Sequence, residues 1–176
     1  MSNGETSSDY RDRSEGGCPD FTCEVDWLDD AGRMLRKERA PYWVYYMDAS
    51  RLSELDPGQV GKWMSFFSDV EYMAGICRDA VFQGACIECK HSHPMAVQMG
   101  SGVACFYVNG GDKAAHRRLL AWMLEHDLIR RTKSGRFYNI GFKYDAQTIA
   151  GEYGDAFTPK IVLSDFVDLE TGLFVE

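Results

Sequence analysis

Within ten consecutive residues, 84–93, the chain reads Gly-Ala-Cys-Ile-Glu-Cys-Lys-His-Ser-His, which gathers two thiols, two imidazoles, a carboxylate, an ammonium and a hydroxyl. The spacing Cys86-x-x-Cys89-x-His91-x-His93 invites a zinc reading, because thiolate and imidazole are the preferred ligands of that ion. Strand geometry opposes it. On a regular strand Cys86 points away from Cys89, and one extended segment cannot wrap four ligands around a tetrahedral ion. The set Cys89, His91 and His93 shares a side, but that side is expected to face the core. Cys18 and Cys23 would add ligands only if the N-terminal segment folded back. No metal and no cofactor are therefore expected. Lys90 with a neighbouring imidazole could serve as base and acid, yet neighbours on a strand point apart. Lys90 with Lys143, read as lying on adjacent strands, makes the better pair, each ammonium lowering the pKa of the other. No Ser-His-Asp arrangement, phosphate loop or HExxH pattern is present, and Gly110-Gly111-Asp112-Lys113 is a turn and helix cap.

The elements that must position these groups follow from periodicity. Asp26 to Arg39 is expected to be a short helix carrying Trp27, Leu28, Ala31, Met34 and Leu35 on one side, ended by Pro41. Tyr42 to Met47 is aromatic and β-branched, a strand. A second strand runs Gly61 to Phe67. Ser68 or Asp69 caps a helix to about Gln83, which Gly84 stops. Ala85 to His93 and Val103 to Val108 are the third and fourth strands. A second long helix follows Asp112, Phe137 to Tyr144 is the fifth strand, and Ile161 to Leu163 a short last one. Strand-strand-helix-strand-strand-helix-strand, with short links, describes an α+β domain: a curved, mainly antiparallel sheet with helices on one face and the other face open. Alternation places Glu88, Lys90, Ser92, Asn139 and Lys143 on that open face. Trp43, Trp63 and Trp27 are left between core and surface, and Trp122 is expected in the core.

The bulk properties agree with a single domain. The 176 residues are 45% hydrophobic and 13% aromatic, enough for a substantial core. Residues 1–24 are expected to be a disordered tail and 25–176 the folded unit. No apolar run is long enough to span a membrane, and no secretory signal opens the sequence, so a reduced cytoplasmic setting with six free cysteines is expected. The net charge of −8 argues against non-specific nucleic-acid binding. Within this acidic chain, residues 112–145 hold eight Lys or Arg against four Asp or Glu. That local excess includes Arg130 and Arg131.

Several short motifs carry a likeness to a known family. Pro41-Tyr42-Trp43-Val44-Tyr45-Tyr46, Gly61-Lys62-Trp63-Met64, Gly84-Ala85-Cys86-Ile87-Glu88-Cys89-Lys90 and Ile140-Gly141-Phe142-Lys143-Tyr144-Asp145-Ala146-Gln147-Thr148 together resemble the cap-binding translation initiation factor fold. The closer likeness is to an uncharacterised branch of that fold outside translation, some of whose members carry a phosphothreonine lyase label. The likeness spans Pro41 to Tyr153. It implies that basic residues at the positions of Lys62 and Lys90 contact ligand phosphates. It does not imply cap recognition, since the segment from Ser50 to Val60 lacks the tryptophan that such recognition requires.

The expected function is a small binding protein that holds a phosphorylated ligand, a nucleotide or phosphopeptide, on the open face. Lys62, Lys90, Ser92, Asn139 and Lys143 would form the site, with Arg130 and Arg131 adding charge from the edge. A phosphothreonine-lyase-like eliminase using Lys90 or Lys143 as base is the alternative from another class. A protein-interaction module with a merely solvated face is the third.

Overall fold

The computed structural model describes residues 22–97 and 100–176. Seven antiparallel strands pair into one open sheet: β1 (Thr22–Leu28), β2 (Met34–Arg39), β3 (Trp43–Asp48), β4 (Val60–Phe67), β5 (Glu88–Ser92), β6 (Gly102–Asn109) and β7 (Gly141–Tyr144). The two-residue β8 (Ile161–Val162) lies along β7, and the spatial order is β1-β2-β3-β5-β6-β4-β7-β8. Two long helices, α1 (Val70–Phe82) and α2 (Lys113–Glu125), share one core with Val44, Tyr46, Trp63, Phe67, Cys89, Ala104, Phe106 and Phe142. Those strand residues all have one parity, so both helices pack on one face. The short α3 (Asp145–Ile149) follows β7 directly and packs near β4 and β7. No helix among the described residues is long and apolar enough to cross a membrane.

The helices begin where their caps allow. Asp69 accepts from the Tyr72 amide at 2.9 Å and Asp112 from the Ala115 amide at 2.9 Å, each satisfying a first-turn N–H. Gly84, at φ +73°, ends the run after α1.

Residues 26–39, expected to be helical, instead form a β-hairpin. Asp29 accepts from the amides of Ala31 and Arg33, and Gly32 adopts φ +75°, which turns the chain between β1 and β2. Met34 to Arg39 then pair with β1 on one side and β3 on the other. Their Met, Leu, Arg, Lys and Glu side chains favour a helix locally, but two ladders of backbone hydrogen bonds outweigh that weak preference. The strand expected over Ala85–His93 begins only at Glu88, because the amide of Ala85 bonds back to the Ala80 carbonyl at 2.8 Å. The strand expected over Phe137–Tyr144 is confined to its second half. The amide of Phe137 goes to Leu169 and that of Tyr138 to Arg130. β1 starts at Thr22, inside the expected tail, and residues 1–21 lie outside the described residues.

One close approach fixes the spacing of β4 and β7. A Cβ on Gly61 would lie 2.6 Å from the Lys143 carbonyl oxygen and 2.6 Å from the Phe142 ring. Gly61→Ala is accordingly expected to cost about 1–3 kcal/mol of stability by forcing the two strands apart. A melting temperature equal to that of wild type would show that the strands can separate freely there.

Candidate functional site

The face opposite the long helices is an ordered grid. Antiparallel register aligns Met47, Glu88, Tyr107, Lys62 and Lys143 in one row across β3, β5, β6, β4 and β7. Two residues along, Tyr45, Lys90, Cys105 and Met64 form a second row. Trp43 and Ser92 belong to a third, with Val103 and Phe66 beyond them. Lys62, Lys90 and Lys143 therefore share a face. The strand and residue spacings place the Lys62 and Lys90 Cα atoms about 12 Å apart, within joint reach of two extended lysine side chains. Lys90 and Lys143 are not on adjacent strands, since β6 and β4 lie between them. The cross-strand partner of Lys143 is Lys62.

The three lysines differ in their surroundings. Lys62 Nζ donates to Asp145 Oδ1 at 2.8 Å and to Thr148 Oγ1 at 3.0 Å, and the side chain is largely covered. Lys143 is also buried. It donates to the Glu152 backbone carbonyl, with its Nζ 3.8 Å from the Tyr153 ring centroid and 5.1 Å from that of Phe157. Burial, and then the charge of Lys62, hold its ammonium below the ordinary 10.5, against the opposing pull of Glu152. Lys90 is the most accessible of the three, and its Nζ lies 3.8 Å from the Trp43 ring centroid and 5.4 Å from that of Tyr45. Burial also pushes the Tyr107 phenol well above 10.0.

The rows are covered unequally. Leu52 and Leu55, in the connection from β3 to β4, pack on Tyr45, Met47, Cys105 and Tyr107. Asn109 ties that connection down: its side chain accepts from the Asp56 amide at 2.8 Å and donates to the Glu54 carbonyl at 2.7 Å. α3 and residues 150–158 cover Lys62 and Lys143. The third row stays more open: Trp43 and Val103 are half-buried and Phe66 is 56% exposed.

No family model matches this chain, and no curated protein or solved structure matches it.

Of the other residues expected at the site, Ser92 keeps the face of the lysines, and Asn139, Arg130 and Arg131 have other surroundings. Ser92 Oγ both donates to and accepts from the backbone of Val103, so it extends the β5–β6 ladder. Asn139 accepts from the Ser164 amide and donates to the Ser164 hydroxyl, away from the lysines, because residues 137–140 have left the sheet. Arg130 and Arg131 follow Leu128 and Ile129, which belong to the helix-side core, and the Arg131 guanidinium stacks 3.7 Å from the Phe137 ring. The local basic excess is thus spread over both sides of the sheet.

The Cys/His segment faces inward. Among the described residues, no three His, Cys, Asp or Glu side chains are arranged to hold a metal ion. Because β5 starts at Glu88, Cys86 turns back beside Cys89, where a regular strand would have pointed it away. Cys89 donates to the Cys77 carbonyl at 3.2 Å, and its thiol is pushed well above 9.0 by burial and by the Cys77 and Cys86 thiols. His91 Nδ1 lies 2.9 Å from the Ser92 carbonyl oxygen and His93 accepts from the Met95 amide.

Asp145, Thr148, Gln147, Glu152 and Tyr153 complete the surroundings of the lysines; the first three lie in the Ile140–Thr148 motif of the family likeness, but none is among the expected site residues. Asp145 and Thr148 are three residues apart, so on a helix they face one way, a spacing that could have marked them as a pair. Nothing in the sequence indicated that Glu152 would contribute through its backbone.

Proposed function

We propose that this protein binds a phosphorylated ligand on the helix-free face, with Lys90 as the accessible contact and Lys62 and Lys143 deeper along the grid. The observation that supports this reading is the shared parity of three lysines on one sheet face of a chain with net charge −8. Ammonium groups carried on one face at this spacing suit an anion with several oxygens. The oxygens of Asp145 and Thr148 and the carbonyl of Glu152 already bond Lys62 and Lys143, as ligand oxygens would. If the quoted motifs belong to a cap-binding-like fold, Lys62 and Lys90 would meet the ligand phosphates, and a cytoplasmic setting goes with the same reading.

A second reading is favoured by the Lys62–Lys143 pair. An amine held below its usual pKa beside a second ammonium suits β-elimination from a phosphothreonine. Lys143 in its neutral form would take the Cα proton, the Cα–Cβ double bond would form, and inorganic phosphate would leave with the Cβ–O electron pair. Phosphate release from a phosphothreonine peptide, with gain of a dehydrobutyrine, is the assay that separates this reading from simple binding.

The binding test is a thermal-shift comparison of wild type and Lys90→Ala against pyrophosphate, nucleotides and phosphothreonine peptides. A ligand at a hundred times its Kd is expected to raise the melting temperature by about 5–10 °C. The variant is expected to lose most of that rise. No shift of wild type with any of these ligands would remove the proposal.

A further inference from the structure

We infer that residues 150–158 form a self-inhibitory strap over Lys143, which opens at Gly151 and Gly154 to admit a ligand to the lysine pair. Its relevance to a phosphorylated ligand rests on the reading above, but the strap itself rests on separate observations.

The covering of Lys143 comes from this segment. Lys143 is only 5% exposed, and the groups nearest its Nζ are the Glu152 carbonyl, the Tyr153 ring and the Phe157 ring. Lys62 is covered differently, by Asp145 and Thr148 of α3. Release of the strap would thus bare one lysine and leave the other held.

The strap has few other holds: the Phe157 ring lies by Gly141, and the amides of Ala150 and Gly151 bond to the Ala146 and Thr148 carbonyls at its α3 end. Gly151, Tyr153, Gly154, Asp155 and Ala156 are all exposed, and Tyr153 keeps 56% of its surface in solvent. Apart from Lys143, its side-chain anchor is Gln147, which donates to Glu152 Oε2 at 2.8 Å and to the Thr158 carbonyl at 3.2 Å. The Glu152 amide adds a bond to the Gln147 carbonyl at 3.0 Å. A segment with few buried apolar contacts and a few solvent-edge hydrogen bonds lies at the low end of local stability. Gly151 and Gly154, at φ +75° and +54°, flank Glu152 and Tyr153, whose carbonyl and ring lie closer to the Lys143 ammonium than the Phe157 ring does, and a Cβ on either glycine would meet nothing within 4 Å. These are hinge positions whose backbone needs glycine and whose surroundings leave room to move.

The test is acetylation of the full chain by a soluble activated acetate, read at each lysine by mass spectrometry. Wild type is compared with Tyr153→Ala and Gly151→Ala. The first removes a ring from over the ammonium; the second strains the closed backbone and removes no side-chain contact. Lys143 acetylation, measured against exposed Lys133 and Lys160, is expected to rise severalfold in both variants while Lys62 stays protected. Unchanged relative labelling of Lys143 in both variants would overturn the strap. So would a parallel rise at Lys62, which would mean that α3 opens with it. In wild type, pyrophosphate is expected to speed chymotryptic cleavage after Tyr153. Unchanged cleavage alongside unmasked Lys143 would count against the phosphate reading and leave the strap standing.

Discussion

Asp145→Ala is expected to lower the unfolding free energy by about 3 kcal/mol, the scale for removing one partner of a largely buried ion pair. Lys62 and Asp145 keep only 11% and 10% of their side-chain surfaces exposed, and the Nζ–Oδ1 distance is 2.8 Å. Without the carboxylate, Lys62 faces its cross-strand partner Lys143 with no anion bonded to its own ammonium. Urea denaturation gives the measurement, as a fall in midpoint at constant slope. The double variant Lys62→Met with Asp145→Leu is expected to recover most of the loss, because it removes both charges. Saturating pyrophosphate should stabilise Asp145→Ala more than wild type, since the vacated acceptor position is then filled from solution. An Asp145→Ala variant as stable as wild type would show that water, and not the carboxylate, compensates Lys62.

His116→Ala is expected to cost about 3 kcal/mol or more, from a cavity together with an indole N–H left without its acceptor. Trp63 Nε1 donates to His116 Nδ1 at 2.9 Å, so that nitrogen is unprotonated, and Nε2–H donates to the Gly110 carbonyl at 3.1 Å. Both side chains are fully buried, and the imidazole stacks on Phe166 and meets the edge of Phe142. Protonation of Nδ1 would break the Trp63 bond and charge the core. Burial, the leading cause, accordingly holds His116 and His91 below the ordinary 6.5. The sign follows: an imidazole whose folded pKa is lowered leaves the unfolded chain holding more protons as pH falls. The stability present above pH 6.5 is therefore lost as pH drops through 6.5 toward the folded values. His116→Phe is expected to weaken that acid-side slope, with the contribution of His91 retained. A slope identical to wild type would mean that His116 does not titrate differently in the folded and unfolded states.

The parts of the fold legible in the sequence were those with strong local signals. Tyr42 to Met47 and Val103 to Val108 carry β-branched and aromatic runs, and both long helices have an Asp cap and a helical apolar stripe. The β1–β2 hairpin was illegible because Met34-Leu35-Arg36-Lys37-Glu38-Arg39 is built from helix formers, and only pairing to β3 reveals it as a strand. At the site, alternation alone put Glu88 and Lys90 on the correct face. The companion of Lys143 was misjudged because strand order is a tertiary property: β4 lies beside β7, although β5 and β6 intervene in sequence. Asn139 was misplaced for a related reason, because the expected strand continued through residues whose amides bond to Leu169 and Arg130. The strap was invisible because its grip on Lys143 comes from a backbone carbonyl and two aromatic rings.

The spatial order β3-β5-β6-β4 also has a consequence for how the chain is made. β3 and β4 are neighbours in sequence, yet the gap between them must stay open for two strands that arrive later. While the chain is being synthesised, β3 and β4 both present an edge without its native partner until the ribosome has released residues through Asn109. Such bare edges invite mispairing with each other or with another chain. Closure of the central sheet is therefore a late, long-range event in folding. The connection from Ala49 to Gln59, pinned by Asn109 at the end of β6, can lock down only once that last insertion is complete.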